Sequence, residues 1–120
     1  MAQHNQLGKQ GEQMAIAYLI KNGYSIIAVN WRHSRFEIDI LAENKNEIVF
    51  VEVKARTTSY YGNPEEFISK GQQKRIIEAA HYYLMENNVD KPARFDVISI
   101  LGAKGNKRVE HIEDAFSAIG

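Results

Sequence analysis

The stretch that most constrains this chain is residues 35–56, Arg-Phe-Glu-Ile-Asp-Ile-Leu-Ala-Glu-Asn-Lys-Asn-Glu-Ile-Val-Phe-Val-Glu-Val-Lys-Ala-Arg. Two apolar runs flank a polar turn, the pattern of a β-hairpin. Yet each run carries charge where a buried strand should be apolar. Asp39 sits between Ile38 and Ile40, and Glu52 and Lys54 lie beside Val51 and Val53. Ionised groups in such a strand are costly to desolvate unless something pairs with them. A site that grips a metal ion would justify that cost.

Strand geometry turns this into a testable register. Side chains alternate, so Ile48, Phe50, Glu52 and Lys54 share one face, and Val49, Val51 and Val53 the other. On the first strand Glu37, Asp39 and Leu41 oppose Phe36, Ile38 and Ile40. Directly opposed residues of an antiparallel pair lie on one face. Asp39 therefore meets Glu52 only if paired residue numbers sum to an odd value. Pairing Glu43 with Asn46, or Asn44 with Glu47, satisfies this and leaves a tight turn. Hard carboxylate oxygens select Mg²⁺ or Mn²⁺. Such an ion acidifies water and steadies charge on a phosphoryl oxygen, and Lys54 could orient that water or stabilise the transition state. Phosphodiester hydrolysis fits these parts. The competing reading of Glu-x-Lys is a salt-bridged strand surface.

The rest of the chain supplies a scaffold. Its 120 residues suit a single domain, 1–120, with a real core. Without cysteine it has no disulfide or thiolate metal site, which suits a reducing cytoplasm. The N-terminus lacks an apolar signal core, and no apolar run is long enough to cross a membrane. A net charge of zero argues against a bulk nucleic-acid coat but leaves room for a local basic cleft.

Residues 7–22 read as a helix on the spacing of Leu7, Gly11, Met14, Ala15, Tyr18 and Leu19, ended by Asn22-Gly23. Gly8 and Gly11 imply a close approach to its backbone. Glu12 lies at the border of the apolar stripe, as a solvated edge residue or as a third acid for the site. Residues 24–31 read as a strand, with Arg32, His33 and Arg35 as a basic turn that is either solvated or in contact with phosphate. His33 alone in a loop is a poor metal ligand. Tyr60 and Tyr61 fall in a loop that Gly62 marks, either covering the core edge or stacking on bases. A helical turn is expected at 63–66. The main helix is expected from 69 to 86, opened by the capping box Ser69-Lys70-Gly71-Gln72. Lys70, Gln73 and Lys74 at its start are either plain surface or phosphate contacts. Asn87-Asn88 stops it. A fourth strand begins at Arg94, and Asp96 there is either a further acid or an Arg94 partner. A short edge strand at 108–112 and a helical turn at 114–118 complete the chain. The expected fold is α/β (α+β layered), a mixed central β-sheet flanked by helices in the order αβββαβ(β). The long helix between strands three and four permits a parallel crossover.

Gly11-Glu12 with Ala15 and Leu19, Gly23-Tyr24, Asn30, Glu37-Ile38-Asp39, Val49-Phe50-Val51-Glu52-Val53-Lys54, Gly62 and Arg94-Phe95-Asp96-Val97 together resemble the YraN-like family of uncharacterised bacterial proteins, uncharacterised protein family 0102. The match runs from Gly8 to Phe116. That family is similar in turn to the restriction-endonuclease-like PD-(D/E)-x-K nucleases, and especially to archaeal Holliday-junction resolvases. The resemblance implies a restriction-endonuclease-like fold with Asp39, Glu52 and Lys54 as the catalytic core. Glu12 would join Asp39 and Glu52 around Mg²⁺ or Mn²⁺. Glu37, Arg35, Arg56, Lys70, Gln73 and Lys74 would be auxiliary or nucleic-acid-binding residues, with Gln73 or Lys70 at the superfamily's polar position on the second helix. Phe36 departs from the family pattern, which has glycine before Glu-Ile-Asp. The implied activity is metal-dependent cleavage of DNA, branched or damaged. The alternatives are a non-catalytic nucleic-acid or protein-binding module that keeps the fold, and a buried ion network. Junction resolvases act as dimers, and the edge strand at 108–112 offers a pairing surface for a homodimer.

Overall fold

The computed structural model describes residues 6–56, 68–102 and 106–118. Helix α1 (Gln6–Lys21) leads into strands β1 (Ser25–His33), β2 (Phe36–Glu43) and β3 (Ile48–Arg56). Helix α2 (Lys70–Glu86), β4 (Ala93–Leu101) and β5 (Arg108–Phe116) follow. The strands form one sheet in the order β1-β2-β3-β4-β5. Every neighbouring pair is antiparallel except β3 with β4, which are parallel. The α2 segment returns the chain to the starting end of β3, which a tight turn could not do. The result is an α+β fold with a five-stranded mixed sheet. No helix among the described residues is long and apolar enough to cross a membrane.

Each helix covers its own side of the sheet. Ala15 and Leu19 of α1 pack on Val49, Val51, Ile98 and Ile100. Ile76, Ala79 and Ala80 of α2 pack with Ile48, Phe50 and Phe95. The alternation expected along β3 therefore divides its side chains between two cores. At Gly11, α1 comes close enough to β4 that an added Cβ would touch Ile100 Cγ1 at 3.4 Å. Gly23 closes α1 with φ 92°, and Tyr24 N–H donates to Leu19 O at 3.0 Å, as in a Schellman cap.

The β2–β3 turn takes the second of the two allowed pairings. Asn44 N–H donates to Glu47 O at 3.0 Å, and the ladder continues through Glu43↔Ile48 to Ile40↔Val51. Asn44 Oδ1 accepts from the backbone N–H groups of Asn46 and Glu47 at 2.9 and 2.8 Å. An asparagine that replaces backbone acceptors in this way fixes the turn, and the turn fixes the register.

Strand β2 departs from strict alternation. Ile38 packs in the α2-side core with Leu41, whereas Ile40 packs on the α1 side. The change of phase falls at Asp39. Asn30 of β1 has φ 54° and lies between the Val29↔Ile40 and Trp31↔Ile38 pairs, opposite Asp39. A left-handed residue interrupts the pleat there.

Three expectations change at element ends. Arg32 and His33 belong to β1, paired with Glu37 and Phe36, rather than to a turn. Only Ser34 and Arg35 make the turn, with Ser34 at φ 57°. Strand β5 runs on to Phe116, so 114–116 is strand and not helix. The stacking of Phe116 on Phe95, 5.3 Å between centroids, holds that end down. The expected helical turn at 63–66 and the roles expected of Tyr60, Tyr61 and Gly62 lie outside the described residues.

Ser69 caps α2. Its Oγ accepts from Gln72 N–H at 3.1 Å. Ser69→Ala is expected to lower stability by about 1 kcal/mol in urea unfolding.

A polar network closes the α1 side. Asp96 is fully buried and takes two bonds from Arg94, Nε at 2.9 Å and Nη2 at 2.8 Å. His111 Nε2 lies 2.7 Å from the same carboxylate, and Asp114 N–H donates to it at 3.0 Å. Burial pushes the Asp96 carboxyl up, but these donors together hold it below the ordinary range. An ionised carboxylate only accepts, so His111 carries its proton on Nε2 and faces Tyr18 OH, 3.2 Å away, with Nδ1. Arg94 continues outward to Tyr24 OH at 2.6 Å and Glu47 at 2.7 Å. Asp96 is thus the Arg94 partner, within a network that ties α1, β4, β5 and the β2–β3 turn.

Candidate active site

The site forms where two strands part. The β2–β3 ladder ends at Ile40↔Val51. Beyond it β2 stays with β1 as far as Phe36, and β3 stays with β4 as far as Arg56. The gap would leave Val53 N–H without a ladder partner. Asp39 Oδ2 accepts it instead, at 2.9 Å. The carboxylate that is anomalous in an apolar strand therefore occupies the place of a strand carbonyl. Glu52 faces the same gap. Its Oε2 accepts from Gln72 Nε2 at 2.9 Å and lies 3.8 Å from Lys54 Nζ.

A cavity of about 210 Å³ opens here. Arg35, Phe36 and Glu37 wall one side, and Gln72, Arg75 and Ile76 of α2 the other, with Asp39 and Glu52 between them. The odd register sum delivers the two acids together, as the hairpin geometry requires.

Both acids are costly to ionise where they stand. Burial pushes Glu52 up to about 8, and the neighbouring Asp39 carboxylate adds to this, against the opposing pull of Lys54. Asp39 is raised by burial first, and by the charges of Glu12 and Glu37, although the Val53 N–H bond and Lys54 pull it down. A raised folded value means that the folded protein keeps a proton that the unfolded chain releases. The resulting stability is complete below the unfolded value of 4.5 and is lost as pH rises through about 8. The metal-free protein is therefore expected to lose on the order of 3 kcal/mol across this window. Millimolar Mn²⁺ should restore melting temperature more at pH 8 than at pH 5, as read by scanning fluorimetry across that range.

The other sequence candidates are distributed unevenly. Glu12 is held by Asn30, whose Nδ2 donates to its Oε1 at 3.3 Å. It acts on Asp39 through charge, but it does not line the cavity. Among the described residues no three His, Asp or Glu side chains form a group that could hold a metal ion. The acids are a joined pair with a third nearby, and not a preassembled triad. Glu37 lines the cavity and pairs with Arg32 at 3.5 Å. Arg35 also lines it, whereas Arg56 ends β3 and its carbonyl accepts from Gly102 N–H at 3.2 Å. Lys70 and Lys74 are exposed and lie outside the cavity wall. Gln73 is buried and donates through Nε2 to Ile68 O at 3.1 Å, so it does not reach the acids.

Gln72, rather than Gln73 or Lys70, is the residue of this turn that bonds Glu52. Its signal was present: with Ser69 as cap, position 72 is the third helical residue, whose side chain in a full capping box would turn back to the cap. Here the Gln72 side chain goes to Glu52 and leaves the box half made. Arg75, one turn later, lines the same wall. Asn30 gave no comparable signal as a partner for Glu12, because that contact depends on a left-handed residue inside a strand.

The profile of uncharacterised protein family UPF0102 matches residues 11–100. A UPF0102 protein of Bacteroides thetaiotaomicron is 47% identical over 116 residues, covering 97% of this chain and 96% of the relative. One from Porphyromonas gingivalis is 47% identical over 118 residues, covering 97% and 87%. One from Flavobacterium psychrophilum is 40% identical over 116 residues, covering 97% and 98%.

Proposed function

The chain belongs to the UPF0102 family of uncharacterised proteins, and from that starting point we propose that it is a Mg²⁺- or Mn²⁺-dependent endonuclease that hydrolyses DNA phosphodiester bonds. One observation carries the reading. Two half-buried carboxylates, Asp39 and Glu52, share an open cavity beside an ammonium, and both are raised, first by burial and then by neighbouring negative charge.

The donor set fits a hard divalent ion. Mg²⁺ is commonly held by one or two carboxylates and keeps several waters, so Asp39 and Glu52 suffice as protein ligands. When bound, the cation supplies Lewis acidity and neutralises charge on the phosphate. The remaining work falls to this chain's side chains. Val53 N–H fixes Asp39, and Gln72 fixes Glu52, so both carboxylates are oriented before substrate arrives. The Lys54 ammonium, partly exposed beside Glu52, is placed to donate to a phosphate oxygen or to a reacting water. Arg35 and Arg75, on opposite walls, suit the flanking phosphates. The similarity to junction resolvases points to branched or damaged DNA as the preferred substrate.

Purified protein incubated with labelled linear, nicked and four-way-junction DNA is expected to cleave in Mg²⁺ or Mn²⁺ and not in EDTA. Absence of cleavage with either metal rejects the enzymatic reading. A second reading, a binding module that keeps the fold without cleaving, is favoured by the Asn30 bond that occupies Glu12. It predicts salt-sensitive DNA binding that is indifferent to metal.

A further inference from the structure

We propose that the surface beside the cavity is a stacking platform for an unpaired stretch of DNA strand, so that the site receives its substrate with bases splayed out rather than as intact duplex. The identity of the polymer rests on the nuclease reading.

Five planar groups run in a row toward the cavity. Trp31 and His33 of β1 are stacked, 6.2 Å between centroids and 13° between planes. His33 stacks in turn on Tyr82 of α2, at 4.2 Å and 21°. Tyr82 lies 6.1 Å from Phe36. The Arg35 guanidinium sits 5.2 Å over the Phe36 ring, and both residues wall the cavity. The row is anchored from beneath: Trp31 meets Tyr83 edge-on at 5.6 Å, and Tyr83 meets Phe50 within the core. Its outer part is open to solvent, with Tyr82 37% exposed and the His33 side chain 32% exposed, while Phe36 is buried at the cavity end.

Charge selects the partner. Arg35 and Arg75 line the cavity that the row leads to, while Arg32 and His33 are paired with Glu37 and Glu86, so the two cavity arginines supply the local positive charge on a chain of zero net charge. A neutral protein gains little from counterion release along a duplex. Flat side chains offer what charge does not, because every base has a π face, provided it is unstacked from its neighbours. Phe36 extends the row to the cavity that Asp39 and Glu52 line. A strand lying along it would bring successive phosphates past Arg35 to Asp39 and Glu52.

Trp31 is the only tryptophan in the sequence, so its fluorescence reports on this surface alone. Metal-free protein is titrated in EDTA with a twelve-nucleotide oligodeoxythymidine and with a blunt duplex of equal length. The single strand is expected to quench Trp31 and to bind at least about tenfold more tightly than the duplex. Tyr82→Ala is expected to weaken single-strand binding about tenfold, with duplex binding within twofold of the original, and Tyr82→Phe to retain both. Should Tyr82→Ala melt early, His33→Ala gives the same comparison. Equal or tighter duplex binding, or variants that bind the single strand as the original does, overturns the proposal. Cleavage on adding Mn²⁺ is read separately. A protein that binds as stated but never cuts loses the nuclease reading, whereas one that cuts but binds both forms alike loses only the platform.

Discussion

Replacing Glu52 with glutamine is expected to reduce metal-dependent DNA cleavage by at least about 10²–10³-fold and, at pH 8, to make the protein more stable. The two effects share one cause. Glu52 is pushed up to about 8 because burial and the Asp39 charge both oppose its ionisation. Glutamine has nearly the same shape, and its carbonyl can still accept from Gln72 Nε2. It removes the repulsion with Asp39 and needs no deprotonation. The gain at pH 8 should be on the order of 1–3 kcal/mol in urea, shrinking toward pH 5, where the original is largely protonated in the fold. Cleavage falls because a neutral amide oxygen is a weaker ligand for a hard cation than a carboxylate. Stability and activity thus move in opposite directions, as expected of a site that keeps strain for function. A loss of stability at pH 8 would identify the charges as a structural ion network instead. Unchanged cleavage would remove Glu52 from the catalytic apparatus.

The second large effect lies on the other side of the sheet. Arg94→Ala is expected to destabilise the protein by about 3–5 kcal/mol in equilibrium unfolding. Asp96 is fully buried, and the substitution removes both bonds of the arginine fork along with the links to Tyr24 and Glu47. His111 and Asp114 N–H would be left to solvate a buried carboxylate alone. Arg94→Lys should recover little, because an ammonium cannot reproduce the planar fork. Replacing Arg94 and Asp96 together with apolar residues of similar volume should recover much of the loss, since most of it comes from the uncompensated charge. Cleavage per folded molecule should be unaffected, because the network packs under α1 whereas α2 walls the cavity.

Local patterns were legible wherever one interaction sufficed to produce them. An odd register sum was the condition for Asp39 and Glu52 to meet, and the β2–β3 ladder meets it. Gly23 ended α1 and Ser69 began α2 because each serves a helix end through its own backbone or side chain. The length of β5 was not legible. Its last residues look like a helical turn in isolation, and they remain strand because Phe116 stacks on Phe95 and Asp114 N–H bonds Asp96, both from β4. The choice between Gln72 and Gln73 turns on about 100° of helix rotation, which only the seat of α2 on Phe50 and Phe95 fixes.

The sequence by itself determined the order of the elements and narrowed the hairpin to two registers of the parity that lets two acids meet, because those follow from side-chain period and turn chemistry along neighbouring residues. Only the tertiary structure decided that β2 and β3 part beyond Ile40, that Asp39 fills the vacated hydrogen bond, and that Asn30 bonds Glu12. Those outcomes depend on how strands from distant parts of the chain compete for partners, a balance that no local pattern records.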